Sequence, residues 1–324
     1  MKKKTIITLL ILVALLLLGA LGILTLLNSR TTNSEHVRIY LPEGSTYEAL
    51  CDSLSSANTD ALKQSRINAF NLFAHALKLD QHVRPGSYVI EPHIRQLTLV
   101  RKLRNGQQDP IRLTIGRFRT PQQLNEYLNT KLMHNSFNVT LDSFYIIRPN
   151  TYEFYWTVTP EQFKQRMEKE YEHFEKKLPT THTPLSTHDA IVLASIVEEE
   201  TNNNAEKPRI ASVYLNRLAK GMPLQADPTV KYAVGDFTLR RILNKHLQTD
   251  SPFNTYLHTG LPPAPICLPS AASVDAVFNA PQTNYLYFCA SDQMDGTHRF
   301  AATLAEHSRN AARFHQKLNS LKIK

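Results

Sequence analysis

The chain has 324 residues with a formal net charge of +9, and only three cysteines, Cys51, Cys267 and Cys289. That length supports one large domain or two modest ones whose cores need no disulfide staples. No cysteine stands in C-x-x-C spacing, which argues against a zinc centre.

Met1-Lys2-Lys3-Lys4 precedes an uncharged stretch, Thr5 to Leu27, made almost wholly of Leu, Ile, Val, Ala and Gly. A helix of roughly 20 apolar residues crosses a hydrocarbon core. The lysines lie before the stretch and only Arg30 lies close behind. The positive-inside rule therefore places the N-terminus in the cytoplasm and everything after Leu27 outside. A cleaved signal peptide has a shorter apolar region and an A-x-A-like exit. This stretch is too long and lacks such a site, so residues 1–28 read as a cytoplasmic tip and an uncleaved single-pass anchor in the cytoplasmic membrane. With this topology nucleic acid is not an expected partner. The basic residues, densest at Arg95, Arg101, Lys102 and Arg104, form a solvated surface or face an anionic polymer or membrane. Cys267 and Cys289 could pair outside the cytoplasm; buried free thiols are the alternative.

Residues 29–36 are polar and read as a tether. Residues 37–108 read as a small α+β module. Val37–Leu41 alternates as a strand does, and Ser45-x-x-Glu48 is a capping-box signature for a helix with Leu50 and Leu54 inward. A second helix, about 60–79, places Leu62, Ile67, Phe70, Phe73, Ala74 and Leu77 on one face. Arg84-Pro85-Gly86 turns the chain into a strand at 87–90, and a helix at 97–103 ends at Asn105-Gly106. The module holds no acid–base cluster.

Residues 109–324 read as a larger α+β domain. A strand covers 111–115, and Thr120-Pro121 opens a helix. Residues 134–150 are irregular, Glu161 to Lys177 is a charged helix with a solvated face, and Pro179 to Thr187 is a loop. Ser186-x-x-Asp189 then caps a helix of unusual composition. An apolar run, Ala190 to Val197, ends in Glu198, Glu199 and Glu200. Positions 193, 196 and 197 share a face, and Glu200 extends it; Glu198 and Glu199 rotate away. Burial, the negative end of the helix dipole and two neighbouring carboxylates all raise the pKa of Glu200, as a general acid near neutral pH requires. Three carboxylates capping an exposed helix end is the plainer reading of the same residues.

A second helix, Pro208 to Lys220, carries Ile210, Val213, Tyr214 and Leu218 on its apolar face, with Gly221 as C-cap. Gln225 and Asp227 follow in a loop expected to return over the helix pair. Asn254-Thr255-Tyr256 precedes the stiff run Gly260-Leu261-Pro262-Pro263-Ala264-Pro265-Ile266. Tyr285–Phe288 reads as a strand, Asp295-Gly296 as a turn, and Thr303 to His307 as the opening of the last helix. His298 and His307 are too sparse for a metal site and read as structural.

Taken in order, A-S-I-V-E-x-E-T, A-S-V-Y-L-N-R-L-x-x-G-M-x-L-Q-x-D-P-T-V, N-T-Y…G-L-P-P-x-P-I and Y-L-Y-F…H-x-F…T-x-x-E-H resemble the endolytic murein transglycosylase family (MltG, YceG-like). These motifs span Ala194 to His307. Pro149-Asn150-Thr151-Tyr152 is similar to a further P-D-T-Y element, and the anchor and small module match the family layout, in which the module is LysM-like. The resemblance implies endolytic cleavage of the β-1,4 bond between N-acetylmuramic acid and N-acetylglucosamine in peptidoglycan strands, leaving 1,6-anhydro ends. It maps the catalytic glutamate to Glu200. Glu198 would tune or orient it. Gln225, Asp227, Asn254 and Tyr256 would hold the sugar or its transition state, or else structure their loops. No cofactor or metal is implied; the partners are glycan strands and cell-wall synthases. Three positions depart from the family pattern: Asn150 for an acid, Phe253 for a tyrosine and Glu199 for a lysine. The last change leads us to expect position 199 to be exposed. A hydrolytic muramidase and a non-catalytic wall-binding module are the competing readings.

Overall fold

The computed structural model describes residues 2–31, 33–56, 67–134, 136–179, 183–239 and 241–321, the side chains of 2–5, 67 and 68 excepted. The chain divides into two units. One comprises Met1–Leu113 with Lys131–His134 and Glu153–Val158; the other comprises Thr114–Thr130, Asn135–Tyr152 and Thr159–Lys324. Helices and short strands mix throughout, and among the described residues the sheets are two-stranded ribbons.

The first unit opens with α1 (Lys2–Leu27). Its segment Ile6–Leu27 has a mean hydropathy of 3.0 and is long and apolar enough to cross a membrane. Leu26, at its end, packs against the core of the module. The polar stretch after it is not a loose tether. Thr31 donates its backbone N–H to Ile94 at 2.9 Å, Gln96 donates to the Ser29 carbonyl at 3.0 Å, and the Asn33 amide reaches the Glu91 carbonyl at 3.2 Å. Polar side chains and extended backbone here find partners 58–67 residues on, which local sequence does not reveal.

Strand β1 (Val37–Leu41) runs antiparallel to β2 (Gly86–Ile90), Val37 facing Ile90 and Leu41 facing Gly86. Three helices cover the ribbon: α2 (Tyr47–Ser56), α3 (Ile67–Ala76) and α4 (Gln96–Asn105). Leu50, Leu54, Phe70, Leu99 and Leu103 form its core, each at most 1% exposed. Full burial of such a side chain contributes about 1.5–3 kcal/mol. The cap of α2 is Thr46, which accepts from Ala49 N at 3.1 Å; Ser45 instead donates to the Pro42 carbonyl. The expected second helix is described only from Ile67, and Leu62 lies outside the described residues. Gly106 ends α4 at φ 65°, a left-handed turn that a side chain would strain.

Strand β3 (Ile111–Ile115) pairs with β4 (Asn150–Phe154). The second unit holds α5 (Pro121–Lys131), α6 (Leu141–Phe144) and α7 (Pro160–Glu175). On α7 the charges are solvated as expected, while Phe163 and Met167 are buried. The centre of this unit is α8 (Thr187–Glu200), enclosed by α9 (Lys207–Ala219), α10 (Asp227–Val234) and α12 (Ala271–Phe278), with the one-turn α11 (Asn244–Leu247) beyond. Ser186 caps α8, accepting from Asp189 N at 3.1 Å. Every residue from Ala190 to Val197 is buried, because apolar side chains point from the helix in all directions and neighbours cover each side. The proline-rich run supplies one wall, with Ile266, Cys267 and Leu268 buried. Cys267 is a buried free thiol and Cys289 a half-buried one. The ribbon β5 (Tyr287–Ala290) with β6 (His298–Ala301) starts two residues later than the sequence suggests, and α13 (Leu304–Ser320) follows it, capped by Thr303.

Candidate active site

The end of α8 carries three carboxylates into three different surroundings. Glu198 is 9% exposed. One of its oxygens accepts from Ser270 Oγ and Ser273 Oγ, both at 2.5 Å, and from Lys207 Nζ at 3.1 Å. Burial pushes its pKa up, but these donors outweigh it and hold Glu198 below the usual carboxylate range. Ser270 is the N-cap of α12 and Lys207 the first residue of α9. Glu198 therefore latches α8 to both helices. Glu198 lies off the stripe that Glu200 extends, yet the side it occupies is covered too.

Glu199 is not exposed either. Its side chain is 13% accessible and is held by Arg119 at 2.9 Å and Arg117 at 3.4 Å. With α8 packed between its neighbours, Glu199 is largely covered at the helix end. The compensating cations come from the segment after β3, about 80 residues earlier in the chain.

Glu200 stands apart. It lies on the wall of a groove of ≈ 660 Å³, with Asn202, Ser291, Thr297, His298 and Phe314 among the other lining residues. Its Oε1 accepts a hydrogen bond from Tyr214 Oη at 2.6 Å. Burial drives its pKa up to about 7; Tyr214 opposes the rise, Asp227 adds to it, and Lys231 opposes it. At neutral pH the group is thus close to half protonated, and can give up or take a proton with little driving force either way. Tyr214 is buried, and its own pKa is raised well above the ordinary tyrosine value by desolvation and by Glu200, so it remains a donor. The sequence shows Tyr214 only as a member of an apolar stripe. The single signal of another role is a hydroxyl on a position otherwise suited to phenylalanine.

The other expected residues divide. Asp227 is the first residue of α10, and its Oδ1 accepts from Tyr256 Oη at 2.6 Å. Gln225 is exposed in the same loop, in left-handed backbone at φ 50°. Its Oε1 accepts from Arg217 Nη1 at 3.3 Å, and its N–H donates to the Thr255 carbonyl. Asn254 takes the second of the two roles open to it, that of structuring its loop. It is wholly buried, its amide donates to the Leu247 and Thr249 carbonyls, both at 2.9 Å, and its Oδ1 accepts from Tyr256 N. It shapes the loop that presents Tyr256 and offers no surface to a ligand. His298 bonds Glu206 through both Nδ1 and its backbone N–H, each at 2.9 Å, and His307 stacks on Tyr287. Among the described residues no cluster of three or more His, Cys, Asp or Glu side chains is arranged to hold a metal ion.

The class defined here is an α+β protein built around one groove-lining carboxyl of raised pKa, fed by a tyrosine hydroxyl. The chain belongs to the YceG-like family, whose profile matches residues 39–313. The endolytic murein transglycosylase of Bacillus subtilis (strain 168) is 46% identical over 125 residues, 39% of this chain and 34% of that protein. That of Streptococcus pneumoniae serotype 2 (strain D39) is 33% identical over 132 residues, 40% of this chain and 24% of that protein. The matched segment therefore spans about a third or less of either relative's length. The crystal structure of a yceG-like protein from Listeria monocytogenes superposes with a TM-score of 0.50 at 26% identity, covering 86% of this chain and 99% of that one.

Proposed function

We propose that the protein is a membrane-anchored endolytic peptidoglycan lytic transglycosylase with Glu200 as its acid and base. The observation that carries this reading is the pKa of Glu200, raised to about 7 by burial, at the wall of a groove. Family membership and the names of the relatives support it.

Glu200 protonates the oxygen between muramic C1 and the neighbouring glucosamine. The C1–O bond breaks, and positive charge grows at C1 and its ring oxygen. The muramic C6 hydroxyl attacks C1, and its proton passes to the Glu200 carboxylate. The acid is regenerated and no water is consumed. Ordinary glycosidases need two carboxylates flanking the bond; internal capture needs only one residue that shuttles a proton. Tyr214 holds that carboxyl in place. Asp227, with Tyr256, is the negative group nearest in effect, suited to stabilising the oxocarbenium-like state. Gln225 and Tyr256 would contact sugar hydroxyls or acetamido groups.

The helix Lys2–Leu27 would anchor the chain in the cytoplasmic membrane with its N-terminus inside, and the small module would serve as a LysM-like strand contact. A strand cut there is a nascent one, so the enzyme would limit strand length beside the cell-wall synthases. Mass spectrometry of purified strands after digestion tests the chemistry. Anhydro-muramyl ends with the native chain and none with Glu200→Gln are expected. Reducing ends would identify a hydrolase, with Asp227 as second carboxylate. Undiminished cleavage by Glu200→Gln would sink the assignment.

A further inference from the structure

Two arginines of the larger unit are equally buried, each 8% exposed, and neither pairs with a carboxylate among the described residues. Arg217 is well served. It donates to the carbonyls of Leu286, Pro223 and Leu224 and to Gln225 Oε1, and its guanidinium lies over Tyr287. Arg148 is not. Its guanidinium stacks over the Phe174 ring at 4.5 Å and Nη2 donates to the Pro269 carbonyl at 3.0 Å, but Nη1 is buried with no hydrogen-bond partner. A buried donor left unmet is costly, and more so on a cation.

Arg148 lines a recess of ≈ 220 Å³ with Asn150, Tyr152, Glu170, Phe174 and Lys177. Glu170 is engaged by Arg166 at 2.7 Å. Lys177 is exposed and pairs with no carboxylate among the described residues. Burial lowers the Arg148 pKa to about 10, which still leaves it cationic at neutral pH.

We propose that this recess binds a peptide carboxylate, with Arg148 as the fork that receives its two oxygens and Lys177 as the outer charge. The planar guanidinium fits a two-oxygen acceptor. Phe174 and Tyr152 suit a small aliphatic side chain beside it, and Glu170 in the wall disfavours a doubly charged phosphate. Pro269 directly precedes Ser270, the partner of Glu198, so the recess sits on the strut behind the carboxylate helix. That the carboxylate is carried by a peptide stem of the glycan strand rests on the murein reading above; the carboxylate site does not.

The test is calorimetric titration of the full chain in detergent micelles, carrying Glu200→Gln so that nothing is turned over. The probes are N-acetyl-D-alanyl-D-alanine, its C-terminal amide, and the same peptide acid borne on the murein disaccharide. The free acid should bind about tenfold or more tighter than the amide, a preference that Arg148→Lys and Arg148→Gln remove and Lys177→Gln weakens. Equal binding of acid and amide, or a preference that survives Arg148→Lys in a folded protein, overturns the site. If Arg148→Gln does not fold, Arg148→Lys and the exposed Lys177→Gln decide. The disaccharide-borne acid should bind tighter than the free one; if it does not, the stem-peptide source fails while the carboxylate site stands. None of these readouts depends on cleavage, so failure of the transglycosylase reading leaves them interpretable.

Discussion

Glu198 and Glu200 stand two residues apart on one helix, yet the two sides of that helix end treat a carboxyl in opposite ways. On the latch side, Ser270, Ser273 and Lys207 converge on Glu198 and hold it ionised. On the groove side, one tyrosine hydroxyl meets Glu200, and burial raises its pKa to about 7. Desolvation raises the pKa of both groups; at Glu198 the donors Ser270, Ser273 and Lys207 outweigh it, and at Glu200 the single hydroxyl of Tyr214 does not. A helix end can thus hold a fixed structural charge and a mobile proton within one turn.

The sharpest way to break the comparison is to remove each carboxyl in turn. Glu200→Gln keeps the volume and should lower the cleavage rate by about 10²–10⁴-fold, read as kcat on purified strands, with the fold unchanged by circular dichroism. Glu198→Ala should act on stability instead. Lys207, 3% exposed, would lose the carboxylate it pairs with, and breaking a buried pair costs about 3–5 kcal/mol in chemical denaturation. Adding Lys207→Met should restore part of that loss.

The two sides should also give stability opposite slopes with pH. Below the unfolded pKa of Glu200, 4.5, folded and unfolded states both carry its proton. Between there and about 7 only the unfolded state releases it, so stability falls by about 1.4 kcal/mol per pH unit, and levels off about 3 kcal/mol lower. Denaturation of the native chain and Glu200→Gln at pH 4.5 and 8 measures this, and the variant should be the more stable at pH 8. Glu198 contributes the reverse: its stabilisation is complete above the ordinary carboxylate range and is lost on acidification through its depressed pKa.

The smallest effect sharpens the donor-count argument. Tyr214→Phe removes the hydroxyl that donates to Glu200 and should raise its pKa further, by about one unit. The alkaline limb of the pH–rate profile should move up with it. A limb that stays in place would mean that Tyr214 does not reach the acid in solution.

Much of the fold was legible locally. Ser186, Thr303 and Gly106 mark helix ends as their residue types suggest, because a cap is satisfied within a few residues. The stripe through Leu193, Ile196, Val197 and Glu200 needed only the helical period. Where reading failed, the partner was remote. Glu199 looked exposed because Arg117 and Arg119 lie about 80 residues away. Asn254 could be read as a ligand contact or as a loop-former, because its carbonyl partners are brought to it only by the folded loop.

The order of hydrophobic periods and caps in the sequence by itself determined the α+β make-up, the apolar N-terminal helix and the carboxylate helix with Glu200 on its buried stripe, since each depends on neighbours along the chain. Which glutamate keeps a proton was decided only by tertiary structure. Desolvation and hydrogen-bond donors act through space, and those that set Glu198 and Glu200 apart come from α9 and α12.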